Sequence, residues 1–307
     1  MKLKSALFVI LTAFIFSFPV FSQKTARPAA AAARAITVAS EPAATVWVDD
    51  VKRGVTDATG KLAGVKLSAT SKVLRVRANG FKQATINLTA ASRGMVRVNL
   101  QVTGDTAELL FQKAEALREK PGASEDDRRK AIDLYEQAIK VRPKFPEAYL
   151  GLARVYFDLK DTDSAMQQIV KARRDRPVFP EISAVEGRIY HEDIDDENAI
   201  KAYNRAIKEG RGYQPEAHTG LGLIYEEQEK YEEAIKEFKI AVSQLFDTEP
   251  VLYQLLGGLY EKTRNYKEAI KVYEQYLKAA PNSVEATAVR SMMEQLKKEI
   301  AQDGQPG

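Results

Sequence analysis

Histidine and cysteine, two residue types often used in catalytic and metal sites, are scarce in this chain. The 307-residue chain contains two histidines, His191 and His218, and no cysteine. A catalytic triad or a histidine-containing metal site would need one of these imidazoles, and disulfides and thiolate metal sites are excluded. His191 opens the acidic run HEDIDDE, which ends at Glu197. Because calcium prefers hard oxygen ligands, this run is the strongest candidate for ion chemistry.

The acidic run does not have the spacing of a known calcium loop. It lacks the glycine and the terminal glutamate of an EF-hand. We interpret it as a solvated turn between two helices, and we predict no metal, no cofactor and no catalytic residue. No glycine-rich phosphate loop follows a strand, and no serine stands at a spacing that assembles a nucleophile. The sequence therefore indicates a protein that is not an enzyme.

Columns of similar residues recur at nearly constant spacing through the second half of the chain. An alanine column has spacings of 34 or 35 residues, and a large apolar residue follows each alanine four positions later. A period of this length is typical of stacked two-helix units, each burying its apolar face only against its neighbours. The two columns are Ala131, Ala165, Ala199, Ala234 and Ala269, and Tyr135, Ile169, Tyr203, Phe238 and Tyr273.

This pattern resembles the tetratricopeptide repeat (TPR). Units starting at Pro146, Pro180, Pro215 and Pro250 place alanine or glycine at the eighth position, tyrosine at the eleventh and alanine at the twentieth. The resemblance implies a mainly α protein, a TPR α-solenoid of about five repeats plus a capping helix. The expected repeats span residues 105–281, at about 105–145, 146–179, 180–214, 215–249 and 250–281. A capping helix over 282–302 and a disordered tail over 303–307 would follow.

Polar residues at the expected helix starts predict three caps. Asp105 with Glu108 predicts a capping box at the first helix. Ser124 is expected to cap the second helix. Asn282 with Glu285 is expected to cap the final helix.

The resemblance also implies a concave groove lined by the first helix of each unit. Basic residues toward one end and acidic residues toward the other would let the groove grip a peptide in one direction. The lysine and asparagine clamp that some members use for a terminal carboxylate is absent. His218 falls at a packing position, and plain surface variation remains the alternative for the groove itself. The groove residues carried over are Leu150, Arg154, Phe157, Arg188, His191, Leu223, Glu226, Glu227, Gln254 and Glu261.

The first 22 residues have the layout of a secretory signal peptide. A short positive start at Met1–Lys4 precedes an almost wholly apolar stretch, and small residues stand before Gln23. An uncleaved membrane anchor is the alternative, although the stretch is shorter than the roughly 20 residues of a spanning helix. We expect an exported, periplasmic or envelope-associated protein with no transmembrane span after cleavage. We predict that residues 23–35 form a flexible linker, and a short alanine helix is the alternative.

Residues 36–103 have the sequence pattern of a small antiparallel β-sandwich. Alternating runs at 45–49, 73–77, 85–88 and 95–100 are separated by turn signals such as Asn79-Gly80. The residues Ser40-Glu41-Pro42-Ala43-Ala44 and Val46-Trp47-Val48-Asp49 resemble a PEGA domain, a β-sandwich of bacterial envelope proteins. The run at 56–60 also resembles carboxypeptidase regulatory-like domains. Both resemblances imply a sandwich and neither implies catalysis.

The two halves of the chain carry opposite charge. Residues 23–103 hold 13 Lys/Arg against 4 Asp/Glu, whereas residues 104–307 hold 31 against 38. Halves of opposite sign can attract each other or different partners, and solvated surface on both is the alternative. Nucleic acid is not expected as a partner, because few aromatic residues accompany the basic ones.

These features favour a non-catalytic scaffold of the bacterial cell envelope that binds a partner protein or peptide in the groove. The alternative is that the basic β-sandwich binds peptidoglycan or an anionic lipid surface, with the helices as a spacer. A third hypothesis is self-assembly through the ends of the array.

Overall fold

The computed structural model describes residues 34–49, 51–67, 71 and 73–303. The expected signal peptide (1–22), the expected linker up to residue 33 and the last four residues of the expected tail lie outside the described residues. Within them, seven strands precede eleven α-helices and one short 3-10 helix (Phe246–Thr248), which is the predicted order of a small β domain before a helical stack. Across these ranges, no helix combines the length and apolar character needed to cross a bilayer.

The β domain (residues 34–103) contains two sheets packed on a shared apolar core. One sheet has the order β4-β1-β7 and the other β3-β2-β5-β6. The core takes alternate residues of each strand, for example Val46 and Val48 of one sheet and Ile36 and Val38 of the other, as expected for strands with one buried face. The strands are β1 Arg34–Ala39, β2 Thr45–Val48, β3 Val51–Val55, β4 Lys61–Leu67, β5 Val73–Arg77, β6 Ala84–Asn87 and β7 Gly94–Arg97.

The β domain differs from the sequence prediction in two respects. β1 pairs with β7 in parallel, so the domain is not wholly antiparallel. β1, β3 and β4 were not predicted: β3 and β4 each contain a glycine with positive φ, Gly54 and Gly64, which interrupts the alternation. β1 begins at Arg34, inside the segment read as a linker.

Ten helices form five antiparallel pairs, and an eleventh packs on the last pair. The helices are α1 Thr106–Arg118, α2 Glu125–Val141, α3 Pro146–Asp158, α4 Thr162–Asp175, α5 Pro180–Glu192, α6 Asp196–Glu209, α7 Pro215–Glu227, α8 Tyr231–Leu245, α9 Val251–Lys262, α10 Tyr266–Ala279 and α11 Ala286–Asp303. A proline at the first helical position opens α3, α5 and α7, where its missing N–H costs no hydrogen bond.

Small residues let the helices of each pair approach one another. All five alanines of the alanine column are fully buried. In the third, fourth and fifth units the large apolar residue of the second helix lies against a glycine of the first: an added Cβ would lie 2.6 Å from the Tyr203 ring at Gly187 and 2.3 Å from the Tyr273 ring at Gly257. The recurrent small and large positions therefore interlock within these three pairs.

In units two to five, the turn between the two helices contains one non-glycine residue in the left-handed conformation. These residues are Lys160, Ile194, Glu229 and Arg264. In each case the next residue donates its backbone N–H to the carbonyl of the tyrosine at the eleventh position of the unit, which satisfies a free acceptor at the helix end. These tyrosines are Tyr156, Tyr190, Tyr225 and Tyr260.

The predicted caps are observed in part. Ser124 and Asp127 form a reciprocal capping box at α2. Asp105 caps α1, but Glu108 does not complete a box there, since its side chain accepts from Gln112 instead. The predicted cap of the last helix is wrong, because α11 begins at Ala286, after residues 282–285 have formed turns.

Candidate functional site

A chamber of about 1350 Å³ lies between the β domain and the helical array. Its array side comes mainly from the first helices of units two to five: α3, α5, α7 and α9. Its other side comes from the β domain, including Val51, Val73 and Leu88. The chamber lies over the face that the family resemblance identified as the groove, and the chain's own β domain forms its second wall.

Two arginines of the chamber share one carboxylate. Arg154 of α3 lies 3.7 Å from Glu216 of α7, and Arg188 of α5 lies 3.2 Å from the same side chain. The Arg188 guanidinium also stands 4.5 Å from the centroid of the Phe157 ring. The arginine row predicted from sequence is therefore ion-paired across three units, and this cluster fixes the positions of groups on the chamber wall.

A partly enclosed carboxylate stands at the other end of the chamber. Glu249 precedes α9 and lines the chamber beside Val251 and Leu252. Although its side chain is open to solvent, the surrounding walls raise the pKa of the Glu249 carboxyl through desolvation. A carboxylate held in this way favours a cationic or hydrogen-bond-donating neighbour.

Half of the predicted groove residues line the chamber and half do not. Arg154, Phe157, Arg188, His191 and Leu223 line it. The sequence predicted that Leu150 faces the groove, and the structure differs. The Leu150 side chain is 6% exposed and packs in a core cluster with residues of α5. The other four are absent from the lining and are Glu226, Glu227, Gln254 and Glu261.

The acidic groove residues take part in local contacts outside the chamber. Glu226 forms an ion pair with Lys262 of the next unit at 2.7 Å. Glu261 accepts a short hydrogen bond from the Tyr273 hydroxyl. The expected acidic end of the groove is therefore largely engaged within the array.

His191 lies between two carboxylates from different units. Its Nδ1 is 3.1 Å from Asp196, and its Nε2 is 3.6 Å from Glu227 of α7. One ligand atom from each of the three residues can be chosen so that all lie within 4.8 Å of one another, which would suit a small cation. Exposed acidic groups commonly gather without an ion, and the absence of a metal remains a prediction.

His218 is buried, which agrees with its expected packing position. Its Nδ1 lies 2.6 Å from Glu237 of α8, a partner that the sequence did not predict. Its Nε2 has no hydrogen-bond partner among the described residues.

The β domain docks on the first unit through a buried ion cluster. Arg77 of β5 lies 3.4 Å from Glu115, which Arg118 contacts at 3.0 Å and the Tyr135 hydroxyl at short range. Burial alone would raise the pKa of Glu115, but Arg118 and Arg77 outweigh it and hold that pKa well below its ordinary value. Lys52 adds an ion pair with Glu119, the residue that follows α1, at 2.7 Å.

The same docking includes a stack of cations and aromatic rings. Trp47, the only tryptophan in the chain, has Arg75 and Arg77 each 5.0 Å from its ring centroid. Arg77 also lies 5.4 Å from the ring of Phe111 of α1. Contacts of this kind strengthen when they are removed from water.

The β domain makes a second contact at the end of α8, in the fourth unit. Arg53 of β3 donates to the carbonyl oxygens of Leu245 and Gln244, both at 2.9 Å, and to the Tyr213 hydroxyl at 3.1 Å. Its guanidinium also lies 5.0 Å from the Phe246 ring centroid. A cation is favourable at this position because the carbonyls at a helix C-terminus carry partial negative charge.

Sequence reasoning did not find Lys52, Arg53 or Arg77 as contact residues. The available signal was the opposite charge of the two halves, and one of its interpretations, mutual attraction, agrees with these contacts. The residues that meet are far apart in the chain, as in the Arg53–Leu245 separation of 192 residues.

Three family profiles, each described as tetratricopeptide repeat, match residues 123–189, 197–250 and 250–291. Together they span more than half of the chain. The chain belongs to the tetratricopeptide repeat family. The TPR profiles describe a helical repeat and not an enzyme, and repeats of this kind act as scaffolds for protein–protein interaction.

Solved TPR structures are similar to this chain. PilF of Pseudomonas aeruginosa is 15% identical, covers 65% of this chain and 92% of its own, and has a TM-score of 0.52. PilW, described as a widely conserved type IV pilus biogenesis factor, is 17% identical, covers 64% and 93%, and has a TM-score of 0.50. At these identities the likeness shows the TPR fold alone. A search of curated proteins found no match.

Proposed function

We propose that this TPR protein is an exported, non-catalytic scaffold of the bacterial cell envelope and that it holds a segment of a partner protein in the chamber. The observation that carries the proposal is the two-walled chamber, with apolar and charged groups contributed by the β domain and by four TPR units. Its volume exceeds the roughly 300–1,000 Å³ of typical small-molecule pockets, which favours a peptide segment as the occupant.

The chamber wall offers both kinds of contact that an extended segment needs. Phe157 and Leu223 supply apolar surface, while Arg188 and Glu216 present a fixed pair of opposite charges. Apolar contacts of this kind contribute affinity, and fixed charges select the partner and its direction.

Site-specific photocrosslinking in the native envelope tests this proposal. A crosslinking residue in place of Leu223 should capture a defined partner, whereas one in place of Val170, which is exposed on α4, should not. Replacing both Arg154 and Arg188 with glutamate should reduce capture from Leu223 at least several-fold. The matched control is Lys201→Glu, an exposed residue of α6 that is not among those lining the chamber. Equal capture from both positions would rule out the chamber as the site.

Binding of an anionic envelope surface by the β domain is the second candidate. Lys82, Arg93 and Arg97 are exposed and available for it. Lys52, Arg53 and Arg77 instead contact the chain's own repeats, which reduces the basic surface open to a polymer. Sedimentation of the full chain with peptidoglycan or anionic vesicles, compared with a variant that carries glutamine at the three exposed positions, measures this activity.

A further inference from the structure

We propose that the β domain and the first four TPR units form a ring around the chamber. This ring opens at one contact, made by Arg53, which we call the latch. The β domain and the first TPR unit stay together as one body, and the Arg53 contact closes this body onto the fourth unit. The role of opening in admitting a partner segment rests on the function proposed above, but the opening itself is a property of the chain alone.

The contact between the β domain and the first unit is extensive and its charges are compensated. Glu115 is shared by Arg77, Arg118 and Tyr135. Gln112 of α1 donates to the Phe81 carbonyl at 2.8 Å and accepts from the Gly80 N–H at 3.0 Å. Separating the two parts would break the Arg77 ion pair and both Gln112 hydrogen bonds together, so this side of the ring resists separation.

The contact at the fourth unit is smaller and incompletely satisfied. It centres on one side chain, Arg53, whose burial lowers the pKa of its guanidinium. Within the described residues, Arg53 Nε and Gln244 Oε1 are buried without a hydrogen-bond partner. Both atoms would regain water if the contact opened, which partly offsets the hydrogen bonds that would be lost.

The backbone at the latch is strained. Phe246, the residue whose ring faces Arg53, has φ 57° and ψ −131°. This combination is unfavourable for a bulky side chain, and such strain persists only where surrounding contacts enforce it. The ring of Phe246 and the carbonyl of Leu245 just before it are both engaged by Arg53. Opening the latch therefore allows this strain to relax.

The β domain is therefore held more strongly on the first unit than on the fourth unit. Apart from the Arg154–Glu216 ion pair, which joins the second unit to the fourth, the TPR units pack mainly against their neighbours, so the array can flex once its ends are not tied together. A ring that opens can receive an internal segment of a folded partner, because such a segment has no free end that could thread through a closed ring.

Distances between spin labels test the latch without any partner. The chain has no cysteine, so Lys61→Cys on β4 and Lys239→Cys on α8 place two labels specifically in the full chain. Both positions are exposed. We expect a single main distance in the otherwise unchanged chain. Arg53→Ala should add a longer distance and raise its share several-fold, with a smaller effect for Arg53→Lys. Arg97→Ala, an exposed substitution in the same domain, is the control and should change nothing.

A second label pair distinguishes opening from detachment. Lys61→Cys with Lys113→Cys on α1 reports the contact with the first unit, and its distance should stay the same in Arg53→Ala. A new distance in both pairs would mean that the whole β domain comes away, which would overturn the proposal. An unchanged Lys61–Lys239 distance in Arg53→Ala would overturn it as well. Circular dichroism establishes that each variant is folded, and Arg53→Lys supplies the comparison if Arg53→Ala is not. If the spin-label distances contradict the opening at Arg53, the proposed scaffold function is unaffected, since that function is tested separately by partner capture.

Discussion

Gly220 lies so close to the ring of Tyr203 that no larger residue fits: a Cβ atom at Gly220 would stand 2.2 Å from that ring. Tyr203 belongs to α6 and Gly220 to α7, so the contact joins the third TPR unit to the fourth. The same ring also lies against Gly187 of its own unit. One buried side chain thus sets the spacing both within a unit and between units.

Gly220→Ala is expected to destabilise the array by about 1–3 kcal/mol, because the new methyl group must displace a buried ring. Gly258→Ala is the matched control: this glycine also lies in a helix, but an added Cβ meets nothing within 4 Å. There the better helix propensity of alanine should stabilise by about 0.5–1 kcal/mol. Urea denaturation followed by circular dichroism measures both. A loss of stability at both positions would mean that the close contact is not the cause.

Ala199→Leu should cost about 1–3 kcal/mol, since Ala199 is fully buried where α6 meets α5. Neighbouring units share interfaces, so the damage should extend to the second and fourth units. Hydrogen exchange should show faster exchange in α3, α4, α7 and α8 as well as in α5 and α6. Ala301→Leu, at an exposed position of α11, should leave exchange unchanged. Faster exchange confined to the third unit would contradict the expected coupling.

Glu115→Gln should lower stability by about 3 kcal/mol at pH 7, because it removes the buried carboxylate that Arg77 and Arg118 share. The pKa of Glu115 is lowered in the folded state, so its stabilising contribution is present above the unfolded pKa of about 4.3 and is lost as the pH falls. The difference between the two proteins should therefore shrink below about pH 4.

Denaturation curves at several pH values test the Glu115 prediction. Glu125→Gln is the control, since Glu125 forms an exposed ion pair with Arg129 and should contribute about 0.5 kcal/mol or less. A pH-independent difference for Glu115→Gln would show that its carboxylate is not the group that titrates.

Ile194→Gly should stabilise the chain by about 0.5–1 kcal/mol. Ile194 is β-branched, 89% exposed and has φ 60°, a conformation that glycine adopts without strain. Val284→Gly removes a similarly exposed residue that does not have a positive φ, so it should not stabilise. Thermal melts of both variants compare the two positions, and equal shifts would show that backbone strain at Ile194 is unimportant.

The helical part of the fold was predictable because its information is local and repeated. Alanine, tyrosine and proline recur at one period, and each recurrence marks the same contact in the next unit. The β domain was less predictable: Gly54 and Gly64 break the alternation in two of its strands, and the parallel pairing of β1 with β7 has no local signal.

The chamber was predictable only on its array side. Arg188 and Leu223 are where the repeat positions place them, but Leu150 turns into the core, where it packs in one cluster with Ile182 of the next unit. The β-domain wall and the Arg53 contact depend on residues far apart in the chain, and charge asymmetry alone does not say which residues meet. Export and the binding of a partner segment in the groove stay predictions.

The parallel pairing of β1 with β7 also bears on the order in which the molecule assembles. β1 is the middle strand of its sheet, so a chain synthesised from its N-terminus cannot complete that sheet until Arg97 has emerged. The Arg53 contact can form only later, because its acceptors at Gln244 and Leu245 belong to α8, which is synthesised after the β domain. Since contacts between distant residues form slowly, closure of the molecule upon itself is the late step of its biogenesis.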